Sequence, residues 1–207
     1  TGNLNLLIFR CSLLKSLLLE DCSNISASTI KAICSAPQLN TLAMSQATFE
    51  QDSTHYSTYQ SASLRELFAD CALLPGEGLI RLCGCFPNIT LLCLGPISGA
   101  DLVVVAQQCV HVKDANIRLE GVLSDENAHI LCKRWAQIEL LQLRSHAHDS
   151  VACSEEAVLV LLRGCKMLLK LSVCKLDAPH GAEHLYYKKN KLSSSGSSTN
   201  LSTINTS

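Results

Sequence analysis

The sequence repeats one apolar pattern seven times, and this repetition limits the folds open to it. The first copy, L-x-x-L-x-L-x-x-C, consists of Leu14, Leu17, Leu19 and Cys22. The first residues of the seven copies, which we call the anchors, are Leu14, Leu39, Leu64, Ile89, Val112, Ile138 and Leu168. Successive anchors lie 25, 25, 25, 23, 26 and 30 residues apart. Spacing as regular as this is typical of chains that stack one structural unit beside the next.

Side-chain alternation predicts the structure of each copy. Residues two apart in an extended segment point to the same side of it. Positions 4 and 6 of a copy should therefore point into a core, while position 5 points away from it. Between the copies, residues 99–112, 124–135 and 154–165 carry single apolar stripes of helical period. Serines stand where helix N-caps are expected, at Ser26, Ser98, Ser124 and Ser154.

These units predict a stacked α/β architecture. A strand–helix unit of about 25 residues buries too little apolar surface to fold alone, so neighbouring units must cover one another. We predict a solenoid in a horseshoe arc, with about seven repeats, a parallel sheet on the concave face and helices on the convex face. It should span residues 1–177, with an irregular polar insert at about 45–63. Residues 178–207 are predicted to be a disordered tail, since 192–207 is low in complexity and rich in Ser, Thr and Asn.

Four segments resemble a known repeat family. CSLLKSLLLEDCSNIS from Cys11 and CKMLLKLSVCKL from Cys165 resemble the cysteine-containing leucine-rich repeat, C-x-x-L-x-x-L-x-L-x-x-C-x-x-I-[TS]. ISGADLVVVAQQC from Ile97 and VLSDENAHILC from Val122 are similar to the helix segment of that repeat. The resemblance covers roughly residues 4–176.

Repeats of this type are best known from F-box proteins, where they form the substrate-binding arm of SCF-type ubiquitin ligases. The resemblance therefore implies a protein–protein interaction module that recognises a ubiquitination substrate in SCF-dependent protein degradation. It implies a Skp-type adaptor as a partner only if an F-box lies outside this chain. Two alternatives remain open: a repeat scaffold or regulator without a ligase role, and a secreted or surface-exposed recognition domain.

The twelve cysteines help to predict the cellular compartment, because their redox state depends on it. Cys22 falls at position 9 of its copy, and Cys11, Cys109 and Cys165 each precede an anchor by three residues. Three more lie on the helical stripes, at Cys34, Cys83 and Cys132. Such periodic placement favours buried, reduced thiols over disulfides, and therefore the cytoplasm or the nucleus.

Several functional classes find no support in the sequence. The net charge is −1, and no basic face suggests nucleic acid. The longest apolar runs, such as 102–106, contain about five residues, whereas a bilayer span needs about 20. No motif predicts a catalytic site or a cofactor, so we expect no enzyme. We also expect no metal site, because the close-set pairs Cys83/Cys85, His146/His148 and His180/His184 lack further ligands.

The outward positions of the predicted strands suggest a binding surface. Position 5 reads Leu18, Ala43, Phe68, Cys93, Asn116, Gln142 and Ser172 along the stack. An apolar row on a solvent-facing surface predicts a partner-binding patch, and Phe68 is its expected energetic anchor. The predicted site is Leu18, Ala43, Phe68, Leu91, Cys93, Arg65 and Glu66. In the alternative interpretation, the 45–63 insert folds over this row.

Overall fold

The computed structural model describes residues 2–23, 25–49, 59–70, 76–146, 152–174 and 185–188. Within these residues the protein has an α/β fold with six helices and one sheet. The elements in chain order are α1 (Gly2–Arg10), β1 (Ser16–Glu20), α2 (Ala27–Ser35), β2 (Thr41–Ser45), β3 (Glu66–Asp70), α3 (Gly76–Gly84), β4 (Leu91–Ser98), α4 (Gly99–Gln108), β5 (Asp114–Glu120), α5 (Asp125–Arg134), β6 (Leu140–Ser145), α6 (Glu155–Gly164), β7 (Lys170–Cys174) and β8 (Leu185–Lys188).

The first seven strands form a parallel sheet in chain order. Each strand pairs with the next so that equal positions of the sequence pattern lie side by side. At position 4, for example, Leu42 pairs with Leu67, and Leu67 pairs with Leu92. The predicted parallel sheet is confirmed, and the arrangement is compatible with a solenoid.

The core lies between the sheet and the helices. Positions 4 and 6 are buried in each of β1 to β7, as the alternation predicted. The helices α1 and α2 pack against each other, and α3 to α6 pack side by side. Their inward residues, such as Ile33, Leu102 and Leu131, join the strand leucines in one apolar cluster. Trp135, after α5, is 1% exposed, and its Nε1 donates a hydrogen bond to the Cys109 carbonyl at 2.9 Å.

Four helices begin at the predicted serine caps. In each case the serine hydroxyl accepts a hydrogen bond from the backbone N–H three residues later, which has no partner inside the helix. The pairs are Ser26 with Thr29, Ser98 with Asp101, Ser124 with Asn127, and Ser154 with Ala157. Local sequence therefore sets where these helices start.

The connection between β2 and β3 differs from those that follow it. It includes most of the predicted insert, and its described residues contain no helix. Ser61 donates its backbone N–H to the Cys85 carbonyl at 2.8 Å, and the Ser63 hydroxyl donates to the Ala36 carbonyl at 3.0 Å. Residues 61–63 thus connect the end of α2 to the end of α3. The prediction for residues 50–58 lies outside the described residues.

At the other end of the sheet, β8 pairs with β7 in the antiparallel direction. This strand lies within the segment that the sequence assigned to a disordered tail. A four-residue strand is too short to show an alternation of its own, so the pattern predicted no strand there. The rest of 178–207 lies outside the described residues.

The described cysteines follow the predicted burial only in part. Cys83, Cys85, Cys109 and Cys165 are buried, and other thiols, such as that of Cys132, are half-buried. The prediction of burial is wrong for Cys11, which is exposed. It directly follows α1, a helix whose outer side is uncovered within the described part of the chain, as the 82% exposure of Phe9 shows.

Among the described residues, none of the helices combines the length and the apolar character that a membrane crossing requires.

Candidate functional site

The side of the sheet that carries positions 3, 5 and 7 is called the open face here. The opposite side carries positions 4 and 6 and packs against the helices. On the open face, the seven predicted position-5 residues pair directly across the strands as one row. The row is Leu18, Ala43, Phe68, Cys93, Asn116, Gln142 and Ser172. The structure therefore places the first four, which are apolar, beside one another.

A shallow depression of about 330 Å³ lies over the apolar part of this row. It extends from β1 to β6, so it crosses the strands rather than following one of them. Its lining residues are Leu18, Ala43, Met44, Ser45, Phe68, Ala69, Asp70, Cys93, Leu94, Gly95, Asn116, Arg118 and Arg144. We call this feature the open-face depression.

The apolar side chains of the depression are only partly covered. Leu18 is 63% exposed, and Ala43, Phe68 and Cys93 are half-buried. Each of them stands next to an inward neighbour with little or no exposure, such as Leu67 at 0%. The alternative interpretation, in which the insert covers the row, depends on residues 50–58, which lie outside the described part of the chain.

Three predicted site residues do not line the depression. Leu91 and Glu66 pair with each other at position 3, and Glu66 Oε2 accepts a hydrogen bond from Thr41 Oγ1 at 2.8 Å. The Arg65 guanidinium donates through Nη1 to the Ala62 and Leu64 carbonyls at 2.8 and 3.1 Å. Arg65 is thus engaged by its own backbone. The structure brings together four of the seven predicted residues.

Sequence reasoning missed an ion pair in the depression. Arg118 on β5 reaches across β4 to Asp70 on β3, with Nη2 at 3.1 Å from Oδ1. The residue below its path is Gly95 on β4, where an added Cβ would overlap the Arg118 Cβ. Asp70 and Arg118 both stand at position 7, which shares a face with position 5 by the same alternation. The sequence therefore already placed this pair on the open face, but the prediction of the site did not extend to position 7.

A second arginine was missed at the same position of the next strand. Arg144 on β6 is exposed, and its Nε and Nη2 donate to the Gln142 side-chain oxygen at 3.1 and 3.0 Å when that amide is oriented to accept. Within the described chain, Arg144 has no carboxylate at ion-pair distance. Arg118 Nε is buried without an acceptor among these residues. The depression therefore has an apolar floor and a cationic side.

Burial and nearby charges alter the pKa values of two groups on this face. Burial raises the pKa of the Cys93 thiol; Asp114 raises it further, while Arg144 lowers it. Burial also raises the pKa of the Asp114 carboxyl.

Within the described residues, no group of three or more His, Cys, Asp or Glu side chains could hold a metal ion. The candidate histidines His148, His180 and His184 lie outside those residues. Comparisons with models of known protein families and with curated protein sequences found no match.

Proposed function

We propose that this chain is a leucine-rich-repeat solenoid of the cysteine-containing type that binds a partner protein through its open face. In this proposal the seven copies are repeats, and the sheet lines the concave side of a horseshoe arc. The in-register alignment of equal positions supports the repeat. The observation that carries the binding function is the apolar row from Leu18 to Cys93, which the described residues leave partly exposed.

The energetics of the row favour a protein partner. Outward apolar side chains add little to folding because they remain in contact with water. Covering a Leu or a Phe contributes about 1.5–3 kcal/mol, so a partner gains by covering this row. Aromatic residues dominate many interfaces, which makes Phe68 the expected centre of this one. A shallow depression of about 330 Å³ suits one or two side chains of a protein better than an enclosed small molecule.

The specific role that we propose is the substrate-recognition arm of an SCF-type ubiquitin ligase. It is supported by the resemblance of the segments from Cys11 and Cys165 to the repeats of F-box proteins. In this role the bound protein is a ubiquitination substrate, and a Skp-type adaptor binds an F-box outside this chain. The chain itself has no catalytic, nucleic-acid-binding or membrane-binding part in the proposal, and it acts in the cytoplasm or the nucleus.

Site-specific photo-crosslinking tests the binding face directly. A photoreactive phenylalanine analogue replaces Phe68 in the full-length protein inside cells. Phe9 serves as the matched control, because it is 82% exposed on α1 and away from the open face. We expect a crosslinked partner at position 68 that is missing at position 9. No product at position 68, or the same product at both positions, would contradict the proposal.

Measuring the half-life and the ubiquitination of the crosslinked partner distinguishes a ligase role from a scaffold role. In a ligase arm, Phe68→Asp should prolong the half-life of that partner and reduce its ubiquitination. Co-purification of a Skp-type adaptor with the full-length protein should accompany this effect. An unchanged partner half-life would favour the scaffold.

Thiol titration addresses the secreted alternative. The chain has twelve cysteines, and a reduced cytoplasmic protein should release about twelve reactive thiols on denaturation. The measurement uses protein isolated from its natural compartment and denatured without a reductant. Substantially fewer thiols would favour a secreted recognition domain.

A further inference from the structure

Both arginines of the open-face depression come from strands in the polar part of the face. Arg118 starts on β5 and ends at Asp70, two strands away. Arg144 starts on β6 and lines the same depression as Cys93 on β4. The depression therefore combines these two guanidinium groups with the apolar row.

The charge of the lining is unbalanced. It contains two arginines and one carboxylate, and that carboxylate, Asp70, already contacts Arg118. Arg144 contacts a neutral amide and has no carboxylate at ion-pair distance within the described residues. Guanidinium groups offer several donors in a planar fork that matches a carboxylate, so an acidic group complements this side of the depression.

We propose that the occupant of the open-face depression is a segment of a partner protein that carries a bulky apolar side chain close to a carboxylate. This inference rests on the proposed function and names the chemistry of its partner. The apolar side chain packs on Leu18, Ala43 and Phe68, while the carboxylate lies between Arg118 and Arg144. Because neighbouring strands are about 4.8 Å apart and an extended peptide rises about 3.3 Å per residue, the two groups stand within about four residues of each other.

Other occupants complement the depression less well. A basic segment would place its charge beside Arg144, which has no neighbouring carboxylate in the described structure. A nucleic acid would find only two arginines beside Asp70 and Asp114, with an apolar floor where a basic track is needed. A purely apolar segment would leave Arg144 without an acidic partner.

Selection from a random peptide library displayed on phage tests the inference. The immobilised chain should enrich peptides in which a bulky apolar residue lies within about four residues of Asp or Glu. The affinity of a synthetic peptide from this selection is then measured by fluorescence anisotropy. Arg144→Glu should weaken binding about tenfold or more, since it replaces a charge-assisted contact with a repulsion. Arg134→Glu, on the exposed side of α5, should leave the affinity unchanged and is the matched control.

A peptide of the same shape that lacks the negative charge completes the test. When the acidic residue of the peptide is replaced by its amide, wild-type binding should fall, and Arg144→Glu should have little further effect. Selection without any acidic preference, or an Arg144→Glu variant with unchanged affinity, would overturn the inference and leave the proposed function intact. Displacement of the peptide by a short oligonucleotide would also overturn it, because the arginines would then be assigned to phosphate.

Failure of the proposed function has a different signature. Phe68→Asp and Ala43→Glu both place a charge in the apolar floor, and Ala43→Glu removes no existing packing. If neither variant weakens a selected peptide, that peptide binds elsewhere, and both the proposed function and this inference fail. If both abolish binding while Arg134→Glu does not, the depression is the binding site.

Discussion

The two halves of the sheet are alike on one side and different on the other. Toward the helices, β1–β4 and β5–β7 bury the same kind of side chain, as Leu67 and Leu143 illustrate at 0% exposure each. Toward the open face, the first half presents apolar residues such as Phe68, whereas the second presents polar residues such as Gln142. Stacking thus constrains the inward positions alone. The apolar character of one outward half needs an explanation beyond folding, and the proposed binding function would account for it.

The helix layer shows a related contrast. The helices α3 to α6 follow one another without a break, while the described β2–β3 connection joins α2 to α3 through residues 61–63. The sheet is nevertheless continuous across this point, with β2 and β3 paired in register. Strand pairing and inward leucines therefore maintain the architecture where a helix is missing from the described chain.

The largest predicted effect separates two adjacent residues that face opposite sides of the sheet. Leu67→Ala should destabilise the protein by about 2–5 kcal/mol, because it leaves a cavity in the core. Phe68→Ala should cost only about 1 kcal/mol, because its side chain is already half in water. Urea unfolding measures both, with Leu141→Ala as the core reference in the second half. A cost at Phe68 equal to that at Leu67 would make Phe68 a core residue and weaken the binding-face proposal.

The next effect concerns the path of Arg118 over β4. Gly95→Ala should destabilise the protein by about 1–3 kcal/mol, because the new Cβ overlaps the Arg118 Cβ and displaces that side chain. Gly84→Ala at the end of α3 is the control, since its Cβ would meet Gln108 Oε1 at an ordinary 3.7 Å. The control should be neutral or slightly stabilising. Equal thermal unfolding midpoints for the two variants would show that Arg118 does not need the space above Gly95.

A smaller effect compares two ion pairs, one on the open face and one formed by residues directly before β5 and β6. A double-mutant cycle on Asp70 and Arg118 should give a coupling of about 0.5–1 kcal/mol at low salt, because the pair is 3.1 Å apart and partly buried. Lys113 and Glu139 are 3.9 Å apart and more exposed, so their coupling should be close to zero. Both couplings should decrease as salt is added. A stronger coupling for Lys113 and Glu139 would contradict the distances.

The smallest effect involves Asp114, at the border of the two halves. Because burial raises its pKa, the folded protein holds the proton more tightly than the unfolded chain does. The contribution of Asp114 to stability should therefore decrease as pH rises from the unfolded pKa through the higher folded pKa, and then level off. Asp114→Asn should remove this decrease and stabilise the protein at neutral pH by less than about 0.5 kcal/mol, since the side chain is only partly buried. Unfolding midpoints across the acidic range measure the difference, and a variant that is less stable at neutral pH would contradict it.

The parts of the structure that repeat were predictable from the sequence. Alternation correctly assigned the inward residues, and the order of the position-5 residues became a row across the sheet. The serine caps of four helices were correct because capping involves only atoms within the same few residues. These features depend on local spacing, and the chain displays that spacing many times.

The parts that failed or were missed depend on neighbours distant in sequence. Cys11 matches the pattern of the buried cysteines, yet it is exposed because no described element covers that side of α1. Arg65 stands beside the predicted site but turns back to its own backbone. The short β8 exists only because β7 offers it a pairing edge.

By itself, the sequence determined which side chains face the core, where four helices begin, and that successive strands lie side by side in register. The periods of strands and helices are properties of the backbone, so apolar spacing alone reveals them. Only the tertiary structure decided that Arg118 crosses β4 to Asp70, 48 residues away, and that Arg144 lines the same depression as the apolar row. A long side chain has many rotamers of similar energy, and its direction depends on charges and free space that exist only once the strands are assembled.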